Sequence, residues 1–148
     1  MKKTRGFERV TGYENQQLPT RSDNKSAGYD FYSPDNIIVP AHRMVKIPTG
    51  IKAYMRKDEV LMLYVRSSIG IKKNLMLANQ TGVIDASLYN NPDNEGNITC
   101  ALYNYGEEDQ FIQQGDRIMQ GVFMKYCPAD NDIVLNKERV GGIGSSGV

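Results

Sequence analysis

Short apolar segments alternate with polar turns along most of the chain, and the periodicity of amphipathic helices is nearly absent. The segments are rich in β-branched residues and end at proline or glycine, which is typical of short strands joined by tight turns. Strands at a spacing of about 8 to 12 residues predict an all-β sandwich, jelly roll or barrel. An edge strand and a loop are predicted within residues 1–25, and further strands at residues 26–34, 37–40, 44–48, 50–54, 60–65, 75–78, 97–104, 111–112, 118–126 and 133–135.

The continuous apolar segment at residues 60–65 predicts a strand that is buried on both faces. The polar sequence Arg66-Ser67-Ser68 comes directly after it. Either serine is suited to cap a short helix, because its hydroxyl can accept a hydrogen bond from a free amide of the first turn. We therefore expect one short helix after this strand.

A polar turn that carries a carboxylate follows the apolar segment at residues 75–78. We expect Gly82 to permit a tight reversal and Ile84 to anchor the far side of the turn. Asp85 would then be held on a rigid hairpin, which is the support that a reactive group requires. The alternative is that Asp85 only caps a turn, the commonest role of an aspartate after an apolar segment.

Composition and charge limit the range of functions. A chain of 148 residues with 40% apolar residues is expected to form one domain with its own core. Eighteen basic against seventeen acidic residues leave a net charge of +1, so bulk charge predicts neither a nucleic-acid partner nor a membrane partner. No apolar segment approaches membrane-spanning length, and the protein is predicted to be cytoplasmic.

Histidine and cysteine usage narrows the chemistry further. His42 is the only histidine, which argues against a Ser-His-Asp triad and excludes a metal site built from several histidines. Catalysis should therefore rest on carboxylates, arginines and hydroxyls. Cys100 and Cys127 lack CxxC spacing and stand in apolar or aromatic surroundings, so both are expected to be buried, reduced thiols.

The C-terminal residues 139–148 contain four glycines and two serines and cannot form core. We therefore divide the chain into a β domain at residues 1–137 and a C-terminal arm at residues 138–148. This composition is compatible with a disordered end or with a flexible arm that becomes ordered over a ligand.

Five polar or glycine-containing segments occur in a characteristic order along the chain. They are Ala27-Gly-Tyr-Asp30, Arg66-Ser-Ser68, Gly82-Val-Ile-Asp85, Gly115-Asp-Arg-Ile-Met-Gln120, and Arg139 with Gly141-Gly-Ile-Gly-Ser-Ser-Gly147. Together they resemble the motifs of the trimeric deoxyuridine triphosphate nucleotidohydrolases, the dUTPase family, over nearly the whole chain. The insert at residues 90–96 and the opening residues 5–8 are similar to the branch found in phages and prophages of Gram-positive bacteria.

The resemblance implies a jelly-roll-like (β-clip) subunit, a homotrimer, and active sites formed where subunits meet. In that family, the aspartate that matches Asp85 activates a water for in-line attack on the α-phosphorus of dUTP. The products are dUMP and pyrophosphate, and Mg²⁺ is bound to the triphosphate. Asp85 suits this role, since a carboxylate within hydrogen-bond reach of a water can act as a general base.

The resemblance also implies which residues bind the substrate. Asn79 matches the position that hydrogen-bonds uracil, helped by backbone groups of the hairpin at Gly82 and Ile84. The phosphates are assigned to guanidinium, hydroxyl and amide groups, which are the donors that an anion prefers. These phosphate-binding residues are Arg66, Ser67, Ser68, Gln120 and, for the γ-phosphate, Arg139.

The motifs also contain two aspartates that are not assigned to direct substrate contacts. Asp30 matches a family acid that supports the metal through water, and the alternative is a strand-end aspartate that binds backbone. Asp116 and Arg117 resemble a structural ion pair at a turn rather than catalytic groups.

The chain departs from the family pattern at two places. The aromatic residue that stacks under deoxyribose is expected three positions after the catalytic aspartate, where this chain has Leu88, followed by Tyr89. One of the two must take that role. In the arm, the aromatic that covers the uracil is replaced by Ile143, close to Ser145, which is also assigned to the substrate site.

Two functions other than dUTP hydrolysis are compatible with parts of this sequence. A dCTP deaminase shares this fold and an Arg-Ser-Ser motif, but it needs a glutamate where this chain has Ala101, which cannot relay protons. The second alternative is a trimer that binds a regulatory protein through residues 90–96 and uses nucleotide as a switch.

Overall fold

The structure is a computed structural model, and it describes residues 2–136. Strands dominate this range, as the alternation of apolar and polar positions predicts. The strands are β1 Gly6–Arg9, β2 Tyr29–Tyr32, β3 Ile37–Val39, β4 Met44–Pro48, β5 Ile51–Tyr54, β6 Glu59–Tyr64, β7 Leu75–Leu77, β8 Gly82–Asp85, β9 Thr99–Asn104, β10 Gln110–Ile112 and β11 Arg117–Lys125.

The strands form four small antiparallel sheets. The largest has the order β2-β11-β6-β8, and a three-stranded sheet has the order β4-β9-β7. Two strand pairs, β1-β5 and β10-β3, complete the set within the described residues. Neighbours in each sheet are mostly distant in sequence, so the pairings are long-range, as in sandwiches and jelly rolls. None of the helices in residues 2–136 is long and apolar enough to cross a membrane.

Both larger sheets contribute buried side chains to one hydrophobic core. In β9, buried and partly exposed residues alternate, and Cys100 and Leu102 are at most 1% exposed. Burial raises the pKa of the Cys100 thiol to about 12, so this thiol stays protonated and unreactive. Cys127 differs from the expectation: it is exposed, because it lies two positions after Lys125, the last residue of β11, where the chain has left the sheet.

Strand β6 is central, but only one of its faces is fully buried in this chain. Leu61 and Leu63 are 0% and 3% exposed. Met62 and Tyr64 point to the opposite face and are only partly buried. The prediction of a strand buried on both faces is therefore wrong for the single chain.

The expected hairpin around residue 82 is not a hairpin. The strands β7 and β8 belong to different sheets, since β7 pairs with β9 and β8 pairs with β6. The reversal occurs at Gln80, whose φ of 63° is left-handed. Gly82 is needed for another reason: a Cβ on this residue would lie 2.9 Å from Leu63 Cβ, closer than real Cβ contacts allow.

Two helical turns are present in the described range. The first, Ser68–Lys72, is a five-residue π-type turn at the place where one short helix was predicted, but Ser67 makes no side-chain cap. The second is a 3₁₀ turn at Ala86–Leu88, directly after β8, which the sequence pattern did not predict.

The strand predicted at residues 133–135 is not formed. Ile133, Val134 and Leu135 lie outside any strand, and they are 82%, 71% and 82% exposed. These three consecutive side chains form an apolar surface that no other part of residues 2–136 buries.

Candidate active site

A polar cavity of about 370 Å³ lies where β2, β11 and the end of β6 meet. It brings together residues from the first, second and fourth of the five segments. Its lining residues are Ser22, Ser26, Ala27, Gly28, Asp30, Arg66, Ser67, Gln120 and Val122.

The strand register explains why these groups converge. In the four-stranded sheet, Gln120 of β11 lies opposite Asp30 of β2 on one side and opposite Tyr64 of β6 on the other. Directly opposed residues project to the same face of a sheet. The chain leaves β6 after Tyr64, so Arg66 arrives at the same corner.

Asp30 is held between two guanidinium groups. Its Oδ1 lies 2.9 Å from Arg66 Nε, and its Oδ2 lies 3.8 Å from Arg117 Nη1. The Asp30 side chain is only 7% exposed, so its interaction with Arg66 is little screened by solvent, whereas the interaction with Arg117, which is 47% exposed, is screened more strongly. Two cations facing one anion leave the corner with an excess positive charge, which suits a phosphate ligand.

This arrangement gives Asp30 a direct task, the orientation of Arg66. No group of three or more His, Cys, Asp or Glu side chains in residues 2–136 could hold a metal ion. The metal-supporting role of Asp30 stays a prediction. The expected ion pair between Asp116 and Arg117 is wrong, because Asp116 Oδ2 instead accepts a hydrogen bond of 2.8 Å from the Gln113 backbone amide.

The remaining contacts of Arg66 also fit anion binding. Arg66 Nη1 donates a long hydrogen bond of 3.4 Å to Ser68 Oγ, and the side chain keeps 23% of its surface exposed. Ser67, on the other side of the turn, is exposed at the cavity. Ser68 therefore contacts the guanidinium and Ser67 lines the cavity, and Ser67 does not cap the helical turn.

Gly28 is required by the close approach of Gln120. A Cβ on Gly28 would lie 2.3 Å from Gln120 Oε1 and 3.3 Å from its Cβ. Any larger residue at position 28 would therefore displace the Gln120 side chain. The glycine of the first segment thus allows the amide of the fourth segment to reach the cavity.

Asp85 does not lie at this cavity. It is exposed and stands at the end of β8, opposite Val60, the second residue of β6. Arg66 follows the other end of β6. At about 3.3 Å per residue, the four steps from Val60 to Tyr64 alone span about 13 Å. Within one chain, Asp85 and Arg66 therefore mark opposite ends of the same strand.

The groups assigned to uracil lie along β8 and on the turn before it. Asn79 is exposed on the turn before Gly82, and its backbone oxygen accepts a hydrogen bond of 2.7 Å from the Thr81 amide. Ile84, within β8, is half-buried. From Gly82 to Asp85 the strand rises about 10 Å, so a base and a reacting phosphate could be bound along its length.

Neither candidate for the deoxyribose support has a free side chain. Leu88 is 6% exposed and belongs to the hydrophobic core. The Tyr89 hydroxyl donates to a Glu8 carboxylate oxygen, and its ring lies edge-on to Tyr54 at 5.8 Å between centroids. The hydrogen bond to Glu8 is the largest cause of a raised pKa of Tyr89.

The arm residues Arg139, Ile143 and Ser145 lie outside the described residues. Sequence reasoning also missed part of the cavity, namely Ser22, Ser26 and the role of Arg117. The two serines stand in a loop with no periodicity, so no sequence signal marked them. Arg117 reaches Asp30 only through the pairing of β2 with β11, which spans most of the chain.

Comparison with known proteins identifies the family. The dUTPase family profile matches residues 14–147. The deoxyuridine 5'-triphosphate nucleotidohydrolase of Lactococcus lactis is 47% identical over 148 residues, which cover 98% of this chain and 99% of that protein. The chain therefore belongs to the dUTPase family, as the five segments indicated.

Solved structures agree with this assignment. The dUTPase from Streptococcus mutans is similar with a TM-score of 0.81 and 42% identity, covering 85% of this chain and 99% of that one. The dUTPase of Staphylococcus bacteriophage 80alpha has a TM-score of 0.74, 21% identity and coverage of 91% and 98%, a likeness of fold alone. The predicted all-β, jelly-roll-like subunit is confirmed.

Proposed function

We propose that this protein hydrolyses dUTP to dUMP and pyrophosphate, with Asp85 as the general base that activates the attacking water. Family membership and the 47% identical dUTP nucleotidohydrolase support this activity. The cavity offers the guanidinium and hydroxyl groups that a triphosphate requires, and Asp85 is exposed at the end of a paired strand. Phosphoryl transfer needs mainly positioning and charge neutralisation, which such groups supply.

We further propose that the active form is a homotrimer whose sites are shared between subunits. The observation that carries this proposal is the separation of Asp85 and Arg66 by the length of β6. Residues that must act on one triphosphate cannot meet within one chain at that separation, but they can meet across an interface. The open face of β6 and the exposed apolar residues 133–135 supply surface for such contacts.

Mg²⁺ is proposed to accompany the triphosphate rather than to occupy a preformed protein cage. Mg²⁺ in nucleotide enzymes is commonly bound by one or two carboxylates together with substrate phosphates, which fits a chain without a three-ligand cluster in residues 2–136. When bound, the ion neutralises charge on the phosphates. The protein residues then orient the nucleotide: Arg66 and Ser67 at the phosphates and Asn79 at the base.

Pyrophosphate release from dUTP tests the proposed activity. We expect turnover that requires Mg²⁺ and is lost on chelation, with a strong preference for dUTP over dTTP and dCTP. A turn that reads uracil by hydrogen bonds leaves little space for a methyl group and mispairs with an amino group. Equal turnover of dCTP, or deamination of it, would contradict the proposal.

Residues 138–148 are proposed to form an arm that closes over the bound nucleotide. Deleting them should leave the assembly folded, because they contribute little apolar surface, but should lower turnover. Losing the charged contact of Arg139 costs about 1.5 to 3 kcal/mol, or roughly 10- to 100-fold. Steady-state kinetics and light scattering on the truncated protein measure the two effects, and Arg139→Ala is the matched control. Loss of the assembly on truncation would refute the arm.

Three further assignments concern the branch of the family, a protein partner and the location in the cell. The phage or prophage branch rests on residues 5–8 and 90–96, whereas the 47% identical relative comes from Lactococcus lactis. A regulatory protein partner at residues 90–96 stays a prediction. Within the described residues, this loop is bound to β5 through Lys52. Cytoplasmic localisation and the lack of nucleic-acid and membrane partners likewise rest on composition.

A further inference from the structure

Lys52 is a buried lysine that the proposed mechanism does not use. It lies on β5, is 9% exposed, and its Nζ donates to Asn90 Oδ1 at 2.6 Å and to Glu95 Oε2 at 2.8 Å. The ammonium also lies 5.3 Å from the centroid of the Tyr89 ring. Lys52 is the largest cause of the lowered pKa of Glu95. Because burying a charge is costly unless the charge is paired, these contacts hold the Lys52 ammonium in its place.

The loop that Lys52 holds is conformationally unfavourable. Asn90 and Glu95 have φ angles of 56° and 65°, in the left-handed region that residues with a Cβ rarely adopt, whereas Gly96 adopts its φ of 96° without strain. The loop closes on itself through a bond of 2.9 Å from the Asn90 amide to the Glu95 backbone oxygen. The side chains of Asn91 and Asn94 bond within the loop, and the Thr11 amide donates to the Glu95 carboxylate. Lys52 adds the contact that joins both ends of the loop to β5.

The same loop is joined closely to Asp85. Only the 3₁₀ turn Ala86–Leu88 and Tyr89 separate Asp85 from Asn90. A Cβ on Gly96 would lie 2.8 Å from the Leu88 backbone oxygen, so the far end of the loop packs directly on this turn. Asp85 makes no side-chain cap at the start of this turn, and at its end the Leu88 backbone oxygen accepts a hydrogen bond of 2.7 Å from Asn91 Nδ2, a side chain of the loop. A displacement of Asn90 or Glu95 would therefore be transmitted to the backbone that follows Asp85.

We propose that Lys52 is a positioning residue for catalysis: by binding Asn90 and Glu95 it fixes the segment that follows Asp85 and so sets the placement of that carboxylate. This inference rests on the proposed function, because it assumes that Asp85 is the general base. It makes catalysis depend on a residue of β5, a strand that does not line the phosphate cavity. It predicts an effect on the chemical step rather than on substrate binding.

The test replaces Lys52 by methionine, which keeps the length and apolar stem and removes the charge. We expect kcat for dUTP to fall about 10- to 100-fold, since a misplacement of about 1 Å has effects of that size, while KM stays within about twofold. Lys52→Arg should recover part of kcat, because a guanidinium can bind the same two oxygens. Lys46→Met, an exposed lysine on β4, is the matched control and should leave both constants unchanged.

Amide hydrogen exchange at residues 91–96 is measured on the same proteins and needs no activity. Faster exchange in Lys52→Met together with the selective loss of kcat supports the proposal. Unchanged exchange, or faster exchange with an unchanged kcat, overturns it. If Lys52→Met does not fold, Glu95→Gln weakens the same anchor more mildly and must show the same pattern. If the native protein does not turn over dUTP, the proposed function fails, whereas the exchange result still decides whether Lys52 anchors the loop.

Discussion

Replacing Asp85 by asparagine is expected to lower dUTP turnover about 100- to 10,000-fold, the range observed when a general base is removed. The amide is nearly isosteric with the carboxylate but cannot accept the proton of the attacking water. Nucleotide binding should persist, because the phosphate cavity at Arg66 and the turn at Asn79 are separate from this side chain. The change should therefore appear in kcat and leave the affinity for a non-hydrolysable dUTP analogue nearly unchanged.

The measurement is steady-state pyrophosphate release, with the affinity for the analogue determined by calorimetry. Asp35→Asn provides the control, since Asp35 is exposed and lies outside the cavity at Arg66. Both variants should melt at the temperature of the native protein. Full activity of Asp85→Asn would show that another group activates the water and would remove Asp85 from the mechanism.

Local sequence patterns predicted the strands well because the pattern of a strand is set by its own two faces. Buried and partly buried residues alternate along β9, and β11 was foreseen nearly to its ends. The failures lie where the partner of a segment decides its structure. The apolar segments at β7 and β8 look like the arms of one hairpin, yet each pairs with a strand of a different sheet.

The site was predictable as a set of residues but not as an arrangement. Resemblance to the family named Asp30, Arg66 and Gln120 together, and the structure brings them to one cavity. The contact of Asp30 with Arg66 could not be read from the sequence, since it depends on the register of β2 against β11 and of β11 against β6. The sequence pattern also could not show that Leu88 turns into the core, because an isolated leucine beside polar residues has no defined face.

Mixing two inactive variants is expected to restore activity if the sites are shared between subunits. Asp85→Asn removes the base, and Arg66→Gln removes the phosphate-binding charge while still donating to Asp30, so that Asp30 keeps a partner. After the two chains are unfolded together and refolded at equal amounts, about a quarter of the sites should contain a native Asp85 from one chain and a native Arg66 from another, provided that closed symmetric assemblies form at random.

The recovered turnover should therefore approach about a quarter of the native value, well above that of either variant alone, since loss of a charged phosphate contact leaves about 1 to 10% of activity. The matched control mixes Asp85→Asn with the double variant Asp85→Asn/Arg66→Gln, which contains no native Asp85 and must stay inactive. Tagged chains confirm that mixed assemblies form. Mixed assemblies without recovered turnover would mean that each site takes Asp85 and Arg66 from the same chain. The structure argues against that arrangement, because the antiparallel pairing of β6 with β8 sets the two residues at opposite ends of β6.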